Sequence, residues 1–252
     1  MLSKNKIKYI HSLDLKKNRK EEHAFVAEGH KLVGELLGHF PCKMLLATHE
    51  WLIKHPHAKA TETIEVTHEE LTRASLLKTP QDVLAVFSQP DYPMNPEVMS
   101  HSLCLALDDV QDPGNLGTII RTGEGAGISG VVVNKETVDL YNPKTIRGTM
   151  GSIYRIPVVV AQDLVSVVKE LQKRGVEVFA AHLKGTKQLY DMDFTKGCAF
   201  LIGNEGNGLT DELSDVADTY LRIPMEGSVE SLNAGVAASL LMYETLRQRG
   251  GE

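Results

Sequence analysis

The feature that most constrains the fold is a repeated alternation of short apolar runs and longer amphipathic stretches after residue 102. The runs are continuously apolar, which is typical of strands buried on both faces of a parallel sheet. Strands are expected at residues 103–107, 131–133, 156–160, 176–181, 199–202 and 220–223. Helices are expected from Asn115, over 164–174, near 210–217 and over 232–247. This part of the chain is predicted to be an α/β domain with a parallel sheet.

A proline-rich stretch divides the chain, because residues 89–96 carry three prolines that prevent continuous helix or sheet pairing. The preceding residues predict a helix over 4–20, a helix after Gly29, helices near 50–55 and 68–77, and strands at 25–28, 43–47, 63–67 and 83–87. The predicted organisation is therefore a small α/β domain over residues 1–90, a linker over 91–99, and a larger domain over 100–252.

The composition is that of a globular protein, with 42% apolar and 24% charged residues. The N-terminus has no apolar signal region, so a cytoplasmic location is expected. Three widely spaced cysteines, Cys42, Cys104 and Cys198, favour buried reduced thiols over a disulfide framework or a zinc site. The histidines show no spacing that suggests ligands, so no metal is expected.

The net charge of −6 is unevenly distributed. Residues 1–20 contain seven lysines and arginines and one aspartate, a net charge of +6, so the other 232 residues carry −12. This basic segment is either a solvated helix or a face that binds RNA phosphates, since phosphate neutralisation is local. The candidate RNA-binding residues are Lys4, Lys6, Lys8, Lys16, Lys17, Arg19 and Lys20.

One glycine motif argues for a different function. Residues 125–130, G-A-G-I-S-G, match the dinucleotide fingerprint G-x-G-x-x-G. That fingerprint needs a preceding strand and a following helix, whereas here the predicted order is reversed. We interpret these glycines as the end of a helix and a turn into a strand.

Three other segments lie where predicted strands end, which is where open α/β sheets bind ligands. In A-L-D-D-V-Q-D-P-G-N-L-G-T-I-I-R, Asn115 is expected to cap a helix that carries Arg121 about two turns along. In F-L-I-G-N-E-G-N-G-L, three glycines surround Glu205 and allow close approach to a ligand.

The third segment, Y-L-R-I-P-M-E-G-S-V-E-S-L-N-A-G-V-A-A-S-L-L-M-Y-E, is expected to leave a strand at Ile223 and to start a long helix capped by Ser231. The small residues of that helix, Ala234, Gly235, Ala237 and Ala238, would let another helix or a ligand approach closely, while its apolar face could equally be core, and both uses can hold at once. These apolar residues are Leu232, Val236, Leu240 and Tyr243.

In order and spacing, these segments resemble the three motifs of the SpoU (TrmH-like) family of RNA ribose 2′-O-methyltransferases, of the SPOUT superfamily. The matching residues are N-x-G-x-x-x-R at 115–121, G-N-E-G-N-G-L at 203–209 and I-P-M-x-G-x-x-E-S-L-N at 223–233. The resemblance covers residues 103–249. It implies a deep trefoil knot in the larger domain, a homodimer with the Arg121 helix and the last helix near its interface, and bound S-adenosylmethionine.

The resemblance also implies the site residues. Those at the reaction centre or supporting it would be Arg121, Asn233, Glu205, Ser231 and Asn115. Those around the cofactor would be Gly203, Asn204, Gly208, Ile223, Met225 and Leu232. For Arg121 we favour a bidentate hold on an RNA phosphate over the role of base, because a guanidinium is a poor proton acceptor.

The first domain, with its stretch F-V-A-E-G-H-K-L-V-G-E-L-L, resembles the substrate-binding domain of the ribosomal-RNA members. We therefore expect ribosomal RNA as the substrate, with transfer RNA as the alternative. Two other classes stay open: a non-catalytic RNA-binding protein on the same fold, and a nucleotide-dependent enzyme acting on a small molecule.

Overall fold

The computed structural model describes residues 2–90, 102–182, 185–228 and 230–250. The chain forms two compact units. The first comprises the described residues of Met1–Asp91 together with Asp139–Tyr154, and the second those of Tyr92–Val138 and Arg155–Glu252. The predicted linker at 91–99 lies outside the described residues. No described helix has the length and hydropathy needed to span a bilayer.

The first unit contains a four-stranded mixed sheet. Its elements are α1 (Lys4–Ser12), α2 (Lys16–Glu22), β1 (Ala24–Glu28), α3 (His30–Leu36), β2 (Cys42–Ala47), α4 (His49–Lys54), β3 (Glu62–Glu65), α5 (His68–Ala74) and β4 (Val83–Ser88). The strand order is β1-β4-β2-β3, with β4 antiparallel to both neighbours and β3 parallel to β2. The predicted strands are present, with ends shifted by one or two residues.

The single helix predicted over residues 4–20 is wrong, because two helices with a break between them occupy this segment. Leu13 is buried at the break. The Arg19 guanidinium donates to the carbonyl oxygens of Leu13 (2.8 Å) and Asp14 (2.6 Å). The break therefore turns an apolar side chain into the core, and Arg19 satisfies carbonyl groups that a continuous helix would have paired.

The second unit is built on a seven-stranded sheet. Apart from short 3₁₀ turns, its first elements are β5 (Leu103–Leu107), α6 (Pro113–Gly125) and β6 (Gly130–Val133). The chain then enters the first unit, where it forms α7 (Pro143–Thr149). Back in the second unit it forms β7 (Val158–Val160), α8 (Leu164–Lys173), β8 (Glu177–Ala181), β9 (Lys187–Gln188), β10 (Cys198–Ile202), α9 (Asp211–Ser214), β11 (Thr219–Arg222) and α10 (Ala234–Gln248).

Every strand pair in this sheet is parallel, and the order is β7-β6-β5-β10-β8-β11-β9. The three central strands β5, β10 and β8 are buried along almost their whole length, as their continuous apolar sequences predict. The predicted parallel α/β fold is confirmed. Because the strands are parallel, the loops that follow β10, β8 and β11 all emerge at one edge of the sheet.

Helix α7 and the residues around it are not indicated by the sequence pattern. Within the first unit, Asp139 Oδ2 lies 2.6 Å from a guanidinium nitrogen of Arg19, whose side chain is only 2% exposed. The ring of Tyr141 stacks on Phe25 with centroids 4.9 Å apart. Ile146 and Ile153 are fully buried. The segment Asp139–Tyr154 is therefore part of the core of the first unit.

Helices α6 and α10 pack against each other in the second unit. The helices are in close contact at Gly235, where an added Cβ would be in ordinary van der Waals contact, at 3.5 Å, with Asn115 and Thr118 on α6. The buried residues of α10 include Ala238, Leu241 and Met242. Val236, Leu240 and Tyr243 are instead exposed, so the prediction that these apolar residues belong to the core is wrong.

Candidate cofactor and catalytic site

A cavity of about 710 Å³ lies at the carboxyl edge of the sheet in the second unit. The residues that end β8, β10 and β11 and the loops after them form most of its wall. It is lined by Ala181, His182, Ile202, Gly203, Asn204, Glu205, Gly206, Asn207, Gly208, Leu209, Asp211, Leu221, Arg222, Ile223, Met225, Glu230, Ser231, Leu232, Ala234 and Ala237. The second and third sequence motifs, which are 14 residues apart in the chain, thus meet in one cavity.

The six residues expected around the cofactor all line this cavity: Gly203, Asn204, Gly208, Ile223, Met225 and Leu232. Among the five residues expected at the reaction centre, Glu205 and Ser231 also line it. Asn115, Arg121 and Asn233 do not. Three carboxylates, Glu205, Asp211 and Glu230, outnumber the one guanidinium of the wall, Arg222, so the charged side chains that line the cavity sum to a negative charge.

The glycine-rich loop after β10 folds back on itself. The backbone groups of Asn204 and Gly208 exchange two hydrogen bonds of 2.9 Å, and the Asn204 Oδ1 atom accepts from the amides of Gly206 (2.8 Å) and Asn207 (3.0 Å). A Cβ on Gly203 would collide with the backbone of Gly208 and Leu209. Glycine is therefore required at 203 by the tight turn, and Asn204 shapes the loop with its side chain.

A chain of amide hydrogen bonds joins the three motifs. Asn115 Nδ2 donates to Glu205 Oε1 at 2.6 Å, and Asn233 Nδ2 donates to Asn115 Oδ1 at 2.9 Å. Asn233 Oδ1 accepts from the backbone amides of Gly235 and Val236 at the start of α10. Since backbone amides only donate, the orientation of both side-chain amides follows, and the Glu205 carboxylate receives a donor.

Both predicted helix caps are wrong. Helix α6 begins two residues before Asn115, and Asp112 is its N-cap, with the Asp112 carboxylate accepting from the amides of Gly114 and Asn115. Proline at the first helical position explains the earlier start. Helix α10 is capped by Asn233 and not by Ser231, which lies in the preceding loop. Asn115 is thereby free to use its side chain in the amide chain.

Arg121 lies in the second half of α6 and is exposed. It makes no hydrogen bond or ion pair with any residue in the described part of the chain, and it does not line the cavity. Its guanidinium is therefore open to a ligand outside the chain. The structure does not bring Arg121 together with Asn115, Glu205 and Asn233.

The basic segment of the first unit needs one correction. Arg19 is buried and bound to Asp139, Leu13 and Asp14, so its guanidinium is not accessible to an RNA phosphate. Lys4, Lys8, Lys16, Lys17 and Lys20 are exposed on α1 and α2, and the half-buried Lys6 pairs with Glu62. Arg19 is a structural residue, and RNA binding by the exposed lysines stays a prediction.

The glycine motif at 125–130 and the three cysteines have structural roles. Helix α6 ends at Gly125, Gly127 has a φ of +70° and β6 starts at Gly130, which confirms a helix-to-strand turn in place of a dinucleotide site. Burial raises the pKa of Cys42 to about 11, of Cys104 to about 12 and of Cys198 to about 11. Such thiols are poor nucleophiles. Within the described ranges, no three His, Cys, Asp or Glu side chains cluster so as to hold a metal ion.

Two residues of the site, His182 and Asp108, were not expected from the sequence. His182, which follows β8, lines the cavity. Asp108, which follows β5, is buried and accepts hydrogen bonds from Asn134 and Thr210. The signal for Asp108 was present, because an acidic residue directly after a buried strand at a ligand-binding edge is a candidate for a role there.

Comparison with known proteins places the chain in a class. The model of the SpoU rRNA Methylase family matches residues 102–243, and the model of the MRM3-like substrate binding domain matches residues 4–85. The chain belongs to the SpoU rRNA methylase family, as its three motifs predict.

Three similar proteins illustrate this membership. The 23S rRNA (guanosine(2553)-2′-O)-methyltransferase RlmP of Bacillus subtilis is 34% identical over 239 residues, 94% of each chain. An AdoMet-bound rRNA methyltransferase from Sinorhizobium meliloti has a TM-score of 0.85 at 35% identity, covering 98% of this chain and 96% of that one. The SpoU methyltransferase AviRb from Streptomyces viridochromogenes, in complex with AdoMet, has a TM-score of 0.86 at 27% identity over the full length of both.

Proposed function

We propose that this protein transfers the methyl group of S-adenosylmethionine to a ribose 2′-hydroxyl of ribosomal RNA. The observation that carries the proposal is the single cavity at the carboxyl edge of the sheet, where the loops of the second and third motifs meet. Membership of the SpoU rRNA methylase family supports the same reaction. The relatives named above include a 23S rRNA 2′-O-methyltransferase and two proteins solved with AdoMet.

The cavity suits this cofactor. Its volume of about 710 Å³ lies within the ~300–1,000 Å³ typical of small-molecule sites. Apolar side chains such as Ile202, Leu209 and Ile223 can cover a planar base, and the tight glycine turn leaves backbone close to the ligand. The three wall carboxylates complement a cationic cofactor.

When bound, S-adenosylmethionine would supply a methyl group activated on its sulfonium: the methyl passes to the 2′-oxygen, the sulfur leaves as the neutral thioether of S-adenosylhomocysteine, and the hydroxyl proton is released to a base or to water. The protein contributes mainly by positioning, which can lower a barrier by about 7–11 kcal/mol. Asn233 and Asn115 hold the Glu205 carboxylate at the cavity wall through the amide chain. Arg121 does not line the cavity of its own chain, so its role of holding an RNA phosphate and stabilising negative charge on the attacking oxygen depends on the homodimer proposed below.

The substrate assignment follows from the first unit. Five exposed lysines on α1 and α2 offer a basic face to phosphates. The match of residues 4–85 to a substrate-binding domain supports RNA binding by this unit. Ribosomal RNA is favoured over transfer RNA by the resemblance of this unit to that of RlmP, since the likeness to RlmP extends over 94% of the chain. The 2′-hydroxyl itself distinguishes RNA from DNA.

We also propose a homodimer through α6 and α10, a trefoil knot in the second unit, domain boundaries near residues 90 and 100, and a cytoplasmic location. The exposed side chains of Val236, Leu240 and Tyr243 lie three or four residues apart on α10 and form an apolar stripe. Helix α10 packs on α6, which carries Arg121. A dimer through this stripe would bring Arg121 near the interface, as the family resemblance implies.

The proposal is tested by incubating the purified protein with labelled S-adenosylmethionine and with ribosomal RNA isolated from a strain in which the gene for this protein is deleted. We expect label on one ribose 2′-hydroxyl, mapped as a nucleotide resistant to alkaline cleavage. Calorimetry should show binding of S-adenosylmethionine and none of NAD. Binding of RNA without methyl transfer would favour a non-catalytic RNA-binding protein. Binding of NAD without binding of S-adenosylmethionine would favour a nucleotide-dependent enzyme that acts on a small molecule.

A further inference from the structure

Asp108 lies behind the cavity wall and binds three donors. It follows β5 directly and is only 4% exposed. Its Oδ2 atom accepts from the backbone amide of Thr210 (2.8 Å) and from the Thr210 hydroxyl (2.9 Å). Its Oδ1 atom accepts from Asn134 Nδ2 (2.8 Å). Asp108 does not line the cavity, so any effect that it has on a bound ligand passes through these contacts.

Thr210 is the point at which the cavity wall is attached to the sheet. It stands between Leu209 and Asp211, and both of these residues line the cavity. Thr210 occupies the N-cap position of α9, but its side chain makes no capping bond and donates to Asp108 instead. The hydroxyl is therefore used to fix the loop and not to start the helix.

The other end of the same loop is attached one residue further along. Asn204 Nδ2 donates to the backbone carbonyl of Asp109 at 2.9 Å. Asp109 has a φ of +57°, a left-handed conformation, and its amide donates to Asn134 Oδ1 at 3.0 Å. The dipeptide at 108–109 therefore anchors both ends of the loop 203–211 from outside the cavity.

The direction of these hydrogen bonds is determined. Asn134 Oδ1 accepts from the amides of Asp109 and Thr137 and from the Thr137 hydroxyl, so Asn134 Nδ2 is the group that faces Asp108. All three groups facing Asp108 then act as donors. An asparagine at 108 would present an NH₂ group to at least one of them, which replaces a hydrogen bond by a contact between two donors.

We propose that Asp108 is a positioning residue for the cofactor wall: by holding Thr210 it sets the positions of Leu209 and Asp211 without touching the cofactor. This inference rests on the proposed function for its ligand, S-adenosylmethionine. Glu205 is held separately, by Asn115. Loss of the Asp108 contacts therefore weakens cofactor binding more than it slows the chemical step.

The test uses the full-length protein with Asp108→Asn and Thr210→Val. Both variants should raise the KM and Kd for S-adenosylmethionine, about tenfold or more for Asp108→Asn and about fivefold for Thr210→Val, with kcat at saturation within threefold of wild type. Without ligand, hydrogen exchange should accelerate at the amides of residues 204–211 and stay unchanged in β5, β8 and β10. Thr210→Ser retains the hydroxyl and should restore wild-type values.

Asp163→Asn is the matched control. The Asp163 carboxylate likewise accepts from backbone amides and a hydroxyl, those of Val165 and Ser166, but at the start of α8 and outside the cavity lining. We expect unchanged cofactor binding for this variant.

Two results would overturn the inference: cofactor affinity within threefold of wild type in both folded variants, or exchange that accelerates equally throughout the sheet. If Asp108→Asn does not fold, Thr210→Val decides by the same criteria. If the wild type binds no S-adenosylmethionine, the proposed function fails, while the exchange measurement still decides whether Asp108 positions the loop.

Discussion

At the scale of single residues, the side-chain amide of Asn233 serves two structures at once. Its oxygen caps α10 and its nitrogen donates to Asn115, which in turn donates to Glu205. The start of the last helix and the orientation of the Glu205 carboxylate thus depend on one amide.

These two roles can be separated by Asn233→Asp. Aspartate caps helices about as well as asparagine, so the free energy of unfolding should change by less than about 0.5 kcal/mol. The Nδ2 donor is lost and a negative charge faces Asn115 Oδ1, so kcat should fall by about 10²-fold. Asn233→Ala, the comparison variant, should lose activity and also about 1 kcal/mol of stability. Chemical denaturation and steady-state methyl transfer measure the two effects, and full activity of Asn233→Asp would show that the amide chain is not needed.

Arg121→Lys tests whether the planar fork of the guanidinium is required. Lysine keeps the positive charge but cannot bind a phosphate through two parallel hydrogen bonds, so kcat/KM for RNA should fall at least about tenfold. Arg174→Lys, on the exposed surface of α8, is the control and should behave as wild type. Near-normal turnover of Arg121→Lys would exclude the bidentate role.

Much of the candidate site could be predicted at this scale, because the three motifs occur in the order and spacing of the SpoU family motifs. Side-chain partners that are distant in the sequence could not. Asn115 is 90 residues from Glu205 and 118 from Asn233, and local capping rules assigned it to the helix start instead. Arg19 looks like its lysine neighbours in a charge count, and only the fold shows that it is buried against Asp139.

At the scale of elements, strands such as β5, β6 and β10 were predictable because they are apolar and buried without interruption, whereas the exposed, polar two-residue strand β9 was not. The α1–α2 break and α7 were not, since both are determined by tertiary contacts. The sequence of α7, P-K-T-I-R-G-T, is short and weakly periodic. Its place in the first unit depends on Asp139, Tyr141 and the residues that they meet there.

The buried ion pair between Arg19 and Asp139 is expected to stabilise the first unit, including the segment Asp139–Tyr154. Asp139→Asn leaves the buried guanidinium without its counter-ion, so the free energy of unfolding of the first unit should fall by about 3–5 kcal/mol. Glu170→Gln, which removes the carboxylate of an exposed pair with Arg174, is the control and should cost no more than about 1 kcal/mol. Denaturant unfolding measures both. Equal small effects would mean that the buried pair does not stabilise the unit.

At the scale of the whole molecule, we expect the second unit to bind S-adenosylmethionine and the first unit to bind RNA. Deleting residues 1–90 should leave the Kd for S-adenosylmethionine within about threefold and weaken RNA binding by at least tenfold. The deletion also uncovers Ile146 and Ile153 in the segment Asp139–Tyr154. A second variant, in which a short glycine-serine linker also replaces 139–154, separates loss of RNA binding from aggregation. Unchanged RNA affinity in both would contradict RNA binding by the first unit.

The apolar stripe on α10 predicts the oligomeric state. The protein should sediment at twice its chain mass of 27.7 kDa, and Leu240→Lys should convert it to single chains because a charge would be buried at the interface. Val160→Lys is the matched control, since Val160 is also an exposed apolar residue, on β7 and away from α10. A wild-type protein that sediments as a single chain would exclude the dimer.

The passage of the chain through the first unit at Asp139–Tyr154 has a consequence for how such proteins can diversify. A recombination event that replaced only the first 90 residues would bring in a foreign surface to face the resident Tyr141 and Asp139, and would leave the latter without its arginine. Acquiring a new target RNA by exchange of modules therefore demands two coordinated grafts, and gradual change of exposed positions such as Lys16 and Lys17 is the simpler route.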